Sequence, residues 1–256
     1  MREDCVNNDY IKTGSISALL DISTGSIVSV VGCGGKTSLI KLIADENKSK
    51  KVLISPATKI FPMCSDRVML CDTLESSIEH IPQAGIQCLG VLNTRNGKLE
   101  ALPKYALAAL ATLYDVVLIE ADGSRGLPCK GWLKNEPVVP FFSTHTVGVV
   151  SLCALGKQAT KEFVHHLPEF LSLTGLNEGD IITEQAIENM ICAPFGMFKN
   201  SVGKNFLVVN KVEDEYTEKC ALNLLGNIKI KYPKLFCKLI SGSVHGIKTG
   251  GRFICL

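Results

Sequence analysis

Short aliphatic and β-branched runs alternate along the chain with segments whose apolar positions recur at helical spacing. That is the pattern of parallel strands joined by crossover helices. Residues 27–31 are apolar apart from Ser29 and run into glycines, and in 37–44 the positions Leu39, Ile40 and Ile43 share one helical face. The pattern predicts further strands over 51–55, 67–71, 86–93, 99–102, 147–152, 206–210 and 235–241. The run 115–120, DVVLIE, reads as a central strand. Helices are predicted over 73–81, 104–113, 161–173, 183–191 and 213–230, the last interrupted near Gly226 and Asn227. Asn96-Gly97 between two strand runs predicts a hairpin at an antiparallel edge of the sheet.

No repeat and no Gly-, Ser- or Pro-rich linker divides the sequence, so 1–256 reads as one α/β domain with helices on both faces of a mostly parallel sheet and a helical insertion at about 157–200. With 256 residues, 46% hydrophobic and 20% charged, the composition is that of a globular protein. The formal charge of +2 is too small for a nucleic-acid binder. Neither a secretory signal nor a membrane span is legible, which predicts a cytoplasmic protein. The eleven cysteines contain no C-x-x-C pair, and the histidines, His165-His166 included, form no ligand spacing, so free thiols and no structural metal site are expected.

The segment VVGCGGKTS places Gly32, Cys33, Gly34, Gly35, Lys36, Thr37 and Ser38 between a strand and a helix. Glycines there allow backbone N–H groups to turn toward phosphate oxygens at a helix N-terminus. Lys36 would neutralise the β- and γ-phosphates and the Thr37 hydroxyl would ligate Mg²⁺. The full nucleotide-loop spacing requires glycine where this chain has Val30, and the shorter G-x-x-G-K-[ST] form fits from Gly32. The plain alternative is a tight glycine turn. The strand 115–120 ends in Glu120, with Asp122 and Gly123 following; these acids would hold the metal and serve the chemistry together with Lys36, or else cap a turn. Arg125 is the nearest cation for a transferring phosphate, or an ordinary exposed arginine.

A third strand ends in Asn210-Lys211, followed by Glu213 and Asp214. In N-K-x-D proteins the asparagine and the acid read guanine; here the aspartate falls one position late, and Asn210 could equally be a strand-end turn residue. These elements predict an Mg²⁺-dependent, P-loop-type binder of ATP or GTP, with GTP favoured through Asn210 and Glu213 or Asp214. They also predict a solvent-facing Lys36 whose loss leaves the fold intact, and a Cys33 thiol made reactive by the helix N-terminus and Lys36.

Taken together, the glycine loop, Thr58-Lys59, IEADGSRGLPCKGW (119–132), NEPVVP (135–140), Leu155-Gly156-Lys157 and NKVED resemble the YqeC family. Members of that family are described as accessory proteins of selenium-dependent hydroxylases. The resemblance implies a nucleotide-binding accessory protein, a nucleoside triphosphatase that assists selenium and molybdenum cofactor maturation. Its partners would be a molybdenum hydroxylase or its cofactor-assembly proteins, with no nucleic acid and no membrane. A nucleotide-switched partner-binding module and an ATP-dependent ligase are the alternatives. Relatives often carry histidine where this chain has Asn135, so no role is transferred to that position.

Overall fold

The computed structural model describes residues 11–13, 15–59, 63, 68–70, 82–93, 95, 97–246 and 253–256. Its strands are β1 (Ile11–Thr13), β2 (Ser26–Gly32), β3 (Lys51–Pro56), β4 (Val68–Leu70), β5 (Gly85–Asn93), β6 (Lys98–Glu100), β7 (Val116–Glu120), β8 (Cys129–Lys130), β9 (His145–Ser151), β10 (Val164–His165), β11 (Lys204–Asn210), β12 (Lys238–Ser241) and β13 (Phe253–Cys255). The helices are α1 (Ile16–Leu19), α2 (Lys36–Glu46), α3 (Lys104–Ala111), α4 (Leu167–Thr174), α5 (Glu184–Cys192) and α6 (Glu215–Lys231).

The main sheet runs β1-β13-β12-β11-β9-β2-β7-β3-β5-β4, with β6 also paired to β5. Every pairing from β12 through to β4 is parallel, whereas β13 and β1 at one edge and β6 at the other are antiparallel. The expected mostly parallel α/β sheet with a hairpin edge is therefore present, Asn93 facing Lys98 across the hairpin. Alternation of side chains between the two faces explains the layers. Val28 and Val30 of β2, Leu118 of β7 and Phe206 and Val208 of β11 pack with Leu39, Ile40 and Ile43 of α2. On the other face, Val117 and Ile119 meet Leu107 and Leu110 of α3, while Leu207 and Val209 meet Leu224 and Ile228 of α6. Central strands are buried on both faces, so they read as near-continuous apolar runs.

Several expectations need correcting. No single helix spans 161–173: β10 occupies Val164–His165, His166 turns with a left-handed φ of 55°, and α4 starts at Leu167 with a proline in its first turn. A periodic apolar pattern cannot reveal a two-residue strand inside it. The helix α6 runs unbroken through Gly226 and Asn227 because its buried face, Ala221, Leu224, Leu225 and Ile228, continues across them. Its start is fixed by a capping box between Asp214 and Thr217. The helix expected over 73–81 lies outside the described residues. Cys88 stands in a disulfide, unlike the free thiols expected throughout. Among the described residues no helix is long and apolar enough to cross a membrane.

Phe206 is fully buried at the centre of β11 and stacks on His145, with ring centroids 5.5 Å apart. Phe206→Ala is expected to lower stability by about 3–5 kcal/mol. Denaturant unfolding followed through the single tryptophan, Trp132, measures it; a loss under 1 kcal/mol would contradict the packing described.

Candidate functional site

The carboxyl ends of β2, β7, β9 and β11 converge, and the loop after β2 lies among them. Gly32, Gly34 and Gly35 adopt φ of 101°, 91° and 137°, values that side chains disfavour. Space is as restrictive as conformation, since a Cβ on Gly34 would stand 2.5 Å from Ser151 Oγ and 2.7 Å from Ser151 N. The Gly32 N–H donates to both Asp122 carboxylate oxygens at 3.1 Å, and the Cys33 N–H donates to Val149 O at 2.8 Å. Gly35 is the N-cap of α2 and has no side chain to accept from the first N–H groups of the helix. Those donors, with Thr37 and Ser38, are left to face the cleft, where they can hold an oxyanion.

Lys36 is not the solvent-facing residue expected. It is only 4% exposed, donates to Gly32 O at 2.5 Å and pairs with Asp122 Oδ1 at 3.2 Å. Burial by itself would depress the ammonium, but the carboxylates of Asp122 and Glu120 outweigh it and hold the pKa above the usual lysine value. Removing this side chain would therefore disturb the fold as well as the site.

The two acids after β7 occupy different environments. Asp122 is fully buried and accepts from Trp132 Nε1 at 2.6 Å, besides its bonds to Gly32 and its ion pairs with Lys36 and, at 3.5 Å, Lys130. Both its oxygens are engaged in holding the loop. Glu120 is nearly buried, lines the cleft, and accepts from Thr37 Oγ1 at 3.4 Å. Burial raises its pKa, with Lys36 opposing. Thr37 and Glu120 thus stand together where their oxygens could hold a hard cation, while both Asp122 oxygens are already engaged.

At the end of β11, Asn210 Nδ2 donates to Gly34 O at 3.1 Å and its Oδ1 accepts from Val244 N at 3.0 Å. Glu213 accepts from Ser243 Oγ at 2.9 Å, and Asp214 caps α6. The expected guanine readers are therefore committed to tying the loop, the 243–244 turn and α6 together. Glu213 keeps one carboxylate oxygen outside these bonds, while Asn210 and Asp214 are bonded through their side chains. Lys211, with a left-handed φ of 62°, does line the cleft.

The Cys33 expectation is also reversed. Its side chain is fully buried, and desolvation pushes the thiol up to about 12, with Lys36 pulling the other way too weakly to matter. The helix-end field acts on the backbone side of the loop, while Cys33 points into the core beside Val31, Ala121 and Cys129.

The cleft over this loop has a volume of about 1060 Å³. Its lining includes residues to which the sequence alone assigned no chemistry: Thr58 and Lys59 after β3, Glu136 and His165. Beneath it, Lys130 is fully buried, donating to Gly123 O at 2.6 Å and pairing with Glu136 at 2.9 Å. The segments 119–132 and 135–140 stood out as motif, but only the fold shows that Lys130 and Trp132 meet at Asp122 and that Glu136 pairs with Lys130.

The sequence model of the YqeC protein family matches residues 28–168. A protein of Escherichia coli (strain K12), named "Uncharacterized protein YqeC", is 32% identical over 188 residues, covering 68% of this chain and 71% of that relative. The family match runs from β2 to beyond β10, so it contains the glycine loop, Glu120, Asp122, Lys130 and His165, and excludes Asn210 and Glu213.

Burial orders the thiols for a direct check. Cys153 and Cys237 are exposed, and Cys33 and Cys129 are buried. Among the cysteines of the described residues, iodoacetamide labelling with peptide mapping at pH 8 is expected to modify Cys153 and Cys237 first, and to leave Cys33 at least about 100-fold slower until the protein unfolds. Early labelling at Cys33 would contradict its placement.

Proposed function

Because the chain belongs to the YqeC family, and because that match covers the loop and the acidic strand end, we propose that it is an Mg²⁺-dependent nucleoside triphosphate-binding accessory protein with slow triphosphatase activity. It serves the maturation of a selenium-dependent molybdenum hydroxylase, the role the family resemblance implies. The observation that carries the nucleotide reading is one arrangement: an uncapped helix N-terminus behind three positive-φ glycines, with Lys36 buried beneath it and Thr37 and Glu120 3.4 Å apart at the mouth of the cleft.

Each residue then has a physical task. The N–H groups at the start of α2 receive β- and γ-phosphate oxygens. Lys36 exchanges its bond to Gly32 O and part of its pairing with Asp122 for phosphate, while Asp122 keeps Gly32 and Trp132 in place. Thr37 and Glu120 fit Mg²⁺, which takes few protein ligands and keeps phosphate and water for the rest. When bound, Mg²⁺ neutralises the charge growing on the phosphates. Asn210 fixes the loop through Gly34 without choosing a base, so ATP and GTP are expected to bind within about tenfold of each other, near the low end of the roughly 5- to 150-fold penalty of one unpaired buried group.

Calorimetric titration with Mg-ATP and Mg-GTP is the test, and absence of binding at millimolar concentration would sink the proposal. Glu120→Gln separates function from fold. A carboxyl with a raised folded pKa stabilises the protein least at high pH: stability is full below the ordinary glutamate value and falls as pH rises through the folded pKa. The metal-free Glu120→Gln protein is therefore expected to melt higher than wild type at pH 7 and equally near pH 4. Its turnover is expected to fall about 10²–10³-fold. Lower stability at pH 7 would show that Glu120 is structural.

A further inference from the structure

The nucleotide reading uses one wall of the cleft and leaves another without a task. That second wall is made of the turn Gly123 to Gly126, the β8–β10 ribbon and Glu136. The ribbon lies outside the main sheet, and its two register pairs are Val164 with Cys129 and His165 with Lys130. Register partners in a parallel pair share a face, so the ribbon sets His165 beside Lys130. Lys130 sinks below the surface and neutralises Glu136 at 2.9 Å, which removes the one carboxylate that would repel an anion from this wall. Arg125 stays exposed, in a left-handed turn (φ 52°) followed by Gly126 (φ 77°), and lines the cleft next to Ser124.

Charge and volume both exceed what one nucleotide needs. Six cations line the cleft, Lys36, Lys41, Lys59, Lys98, Arg125 and Lys211, with Lys130 beneath it; against them stand Glu120, Glu136 and the carboxylates of Asp122 and Glu100 that pair with Lys36 and Lys59, an excess of three. A magnesium nucleoside triphosphate brings about two negative charges, so an attractive field remains after it binds. At about 1060 Å³ the cleft also stands at the upper end of single-ligand pockets.

We infer that this wall is a site for a second, small substrate with an oxyanion head, held by the Arg125 guanidinium, the Ser124 hydroxyl and the His165 imidazole while the nucleotide occupies the loop. His165 is suited to this: burial, with His166, Lys130 and Arg125 nearby, lowers its pKa to about 4, so at neutral pH it offers one N–H and one lone pair and no charge of its own. Lys130 links the two walls, because it pairs with Glu136 on this side and with Asp122, the partner of Lys36, on the other.

The inference rests on the nucleotide reading only for what fills the loop, and the experiment keeps the two apart. Inorganic phosphate is titrated calorimetrically into the full chain saturated with Mg²⁺ and a non-hydrolysable triphosphate analogue. One phosphate is expected to bind per chain, tenfold or more weaker in Arg125→Ala and several-fold weaker in His165→Gln. Acetate in the same titration reads whether a planar or a tetrahedral head fits better, and binding of either that Arg125→Ala removes supports the site. Binding of neither phosphate nor acetate with the loop filled, or binding indifferent to Arg125→Ala, overturns it. If the analogue itself fails to bind, the nucleotide reading falls, and phosphate is titrated into the protein alone. Loss of binding in Arg125→Ala and not in Thr37→Ala then still upholds the second site, and the reverse pattern overturns it.

Discussion

The buried carboxylate of Asp122 is the interaction on which the rest of the site depends. An ion taken out of water costs several kcal/mol unless its charge and lone pairs are met. Here two lysines, an indole N–H and a backbone N–H meet them. Each partner comes from a different piece of chain: Gly32 from the end of β2, Lys36 from α2, Lys130 from β8 and Trp132 from the strand-free segment after it. The fold gathers them because β2 and β7 are parallel neighbours whose carboxyl ends lie side by side, with Val30 facing Glu120 in register. One carboxylate thus fixes the start of the loop, the direction of Lys36 and the floor of the cleft's second wall.

This arrangement prepares the loop for an anion and also sets a cost on binding one. Lys36 is already desolvated and aimed beneath the N-terminus of α2, so a phosphate meets a positioned cation and loses little to reorganisation. It must, however, compete with Asp122 and Gly32 O for that ammonium. Glu120 carries the opposite bias, being a carboxyl whose charged form is disfavoured until a cation arrives. The unpartnered buried hydroxyl of Thr58 at the cleft is a further uncompensated polar group of this kind.

The central strands were legible because burial on both faces makes them continuous apolar runs, and the edges of 27–31, 115–120 and 206–210 came within a few residues of β2, β7 and β11. The glycine loop was legible for a related reason, since glycine at a strand-to-helix junction has few other uses. What the sequence concealed was partnership. A lysine after two glycines looks solvent-facing until Asp122, eighty-six positions later, proves to lie beneath it. Cys33 looked activated because the motif supplies a helix end and a lysine, but nothing in the motif says that the side chain turns into the core. Glu213 and Asp214 looked like base readers by spacing, yet a cap and a serine claim them first. The β8–β10 ribbon was invisible because two-residue strands leave no periodicity.

On the proposed function, the loop after β2 receives phosphate through the N-terminus of α2 while Asp122 holds the base of the loop still. Amide resonances followed by heteronuclear NMR during titration with a magnesium triphosphate analogue test this most directly. The predicted result is a saturable shift of the Gly35, Lys36, Thr37 and Ser38 amides, with the Gly32 amide, bound to Asp122, nearly unmoved. Saturation elsewhere on the protein with the amides of 35–38 unchanged would contradict it.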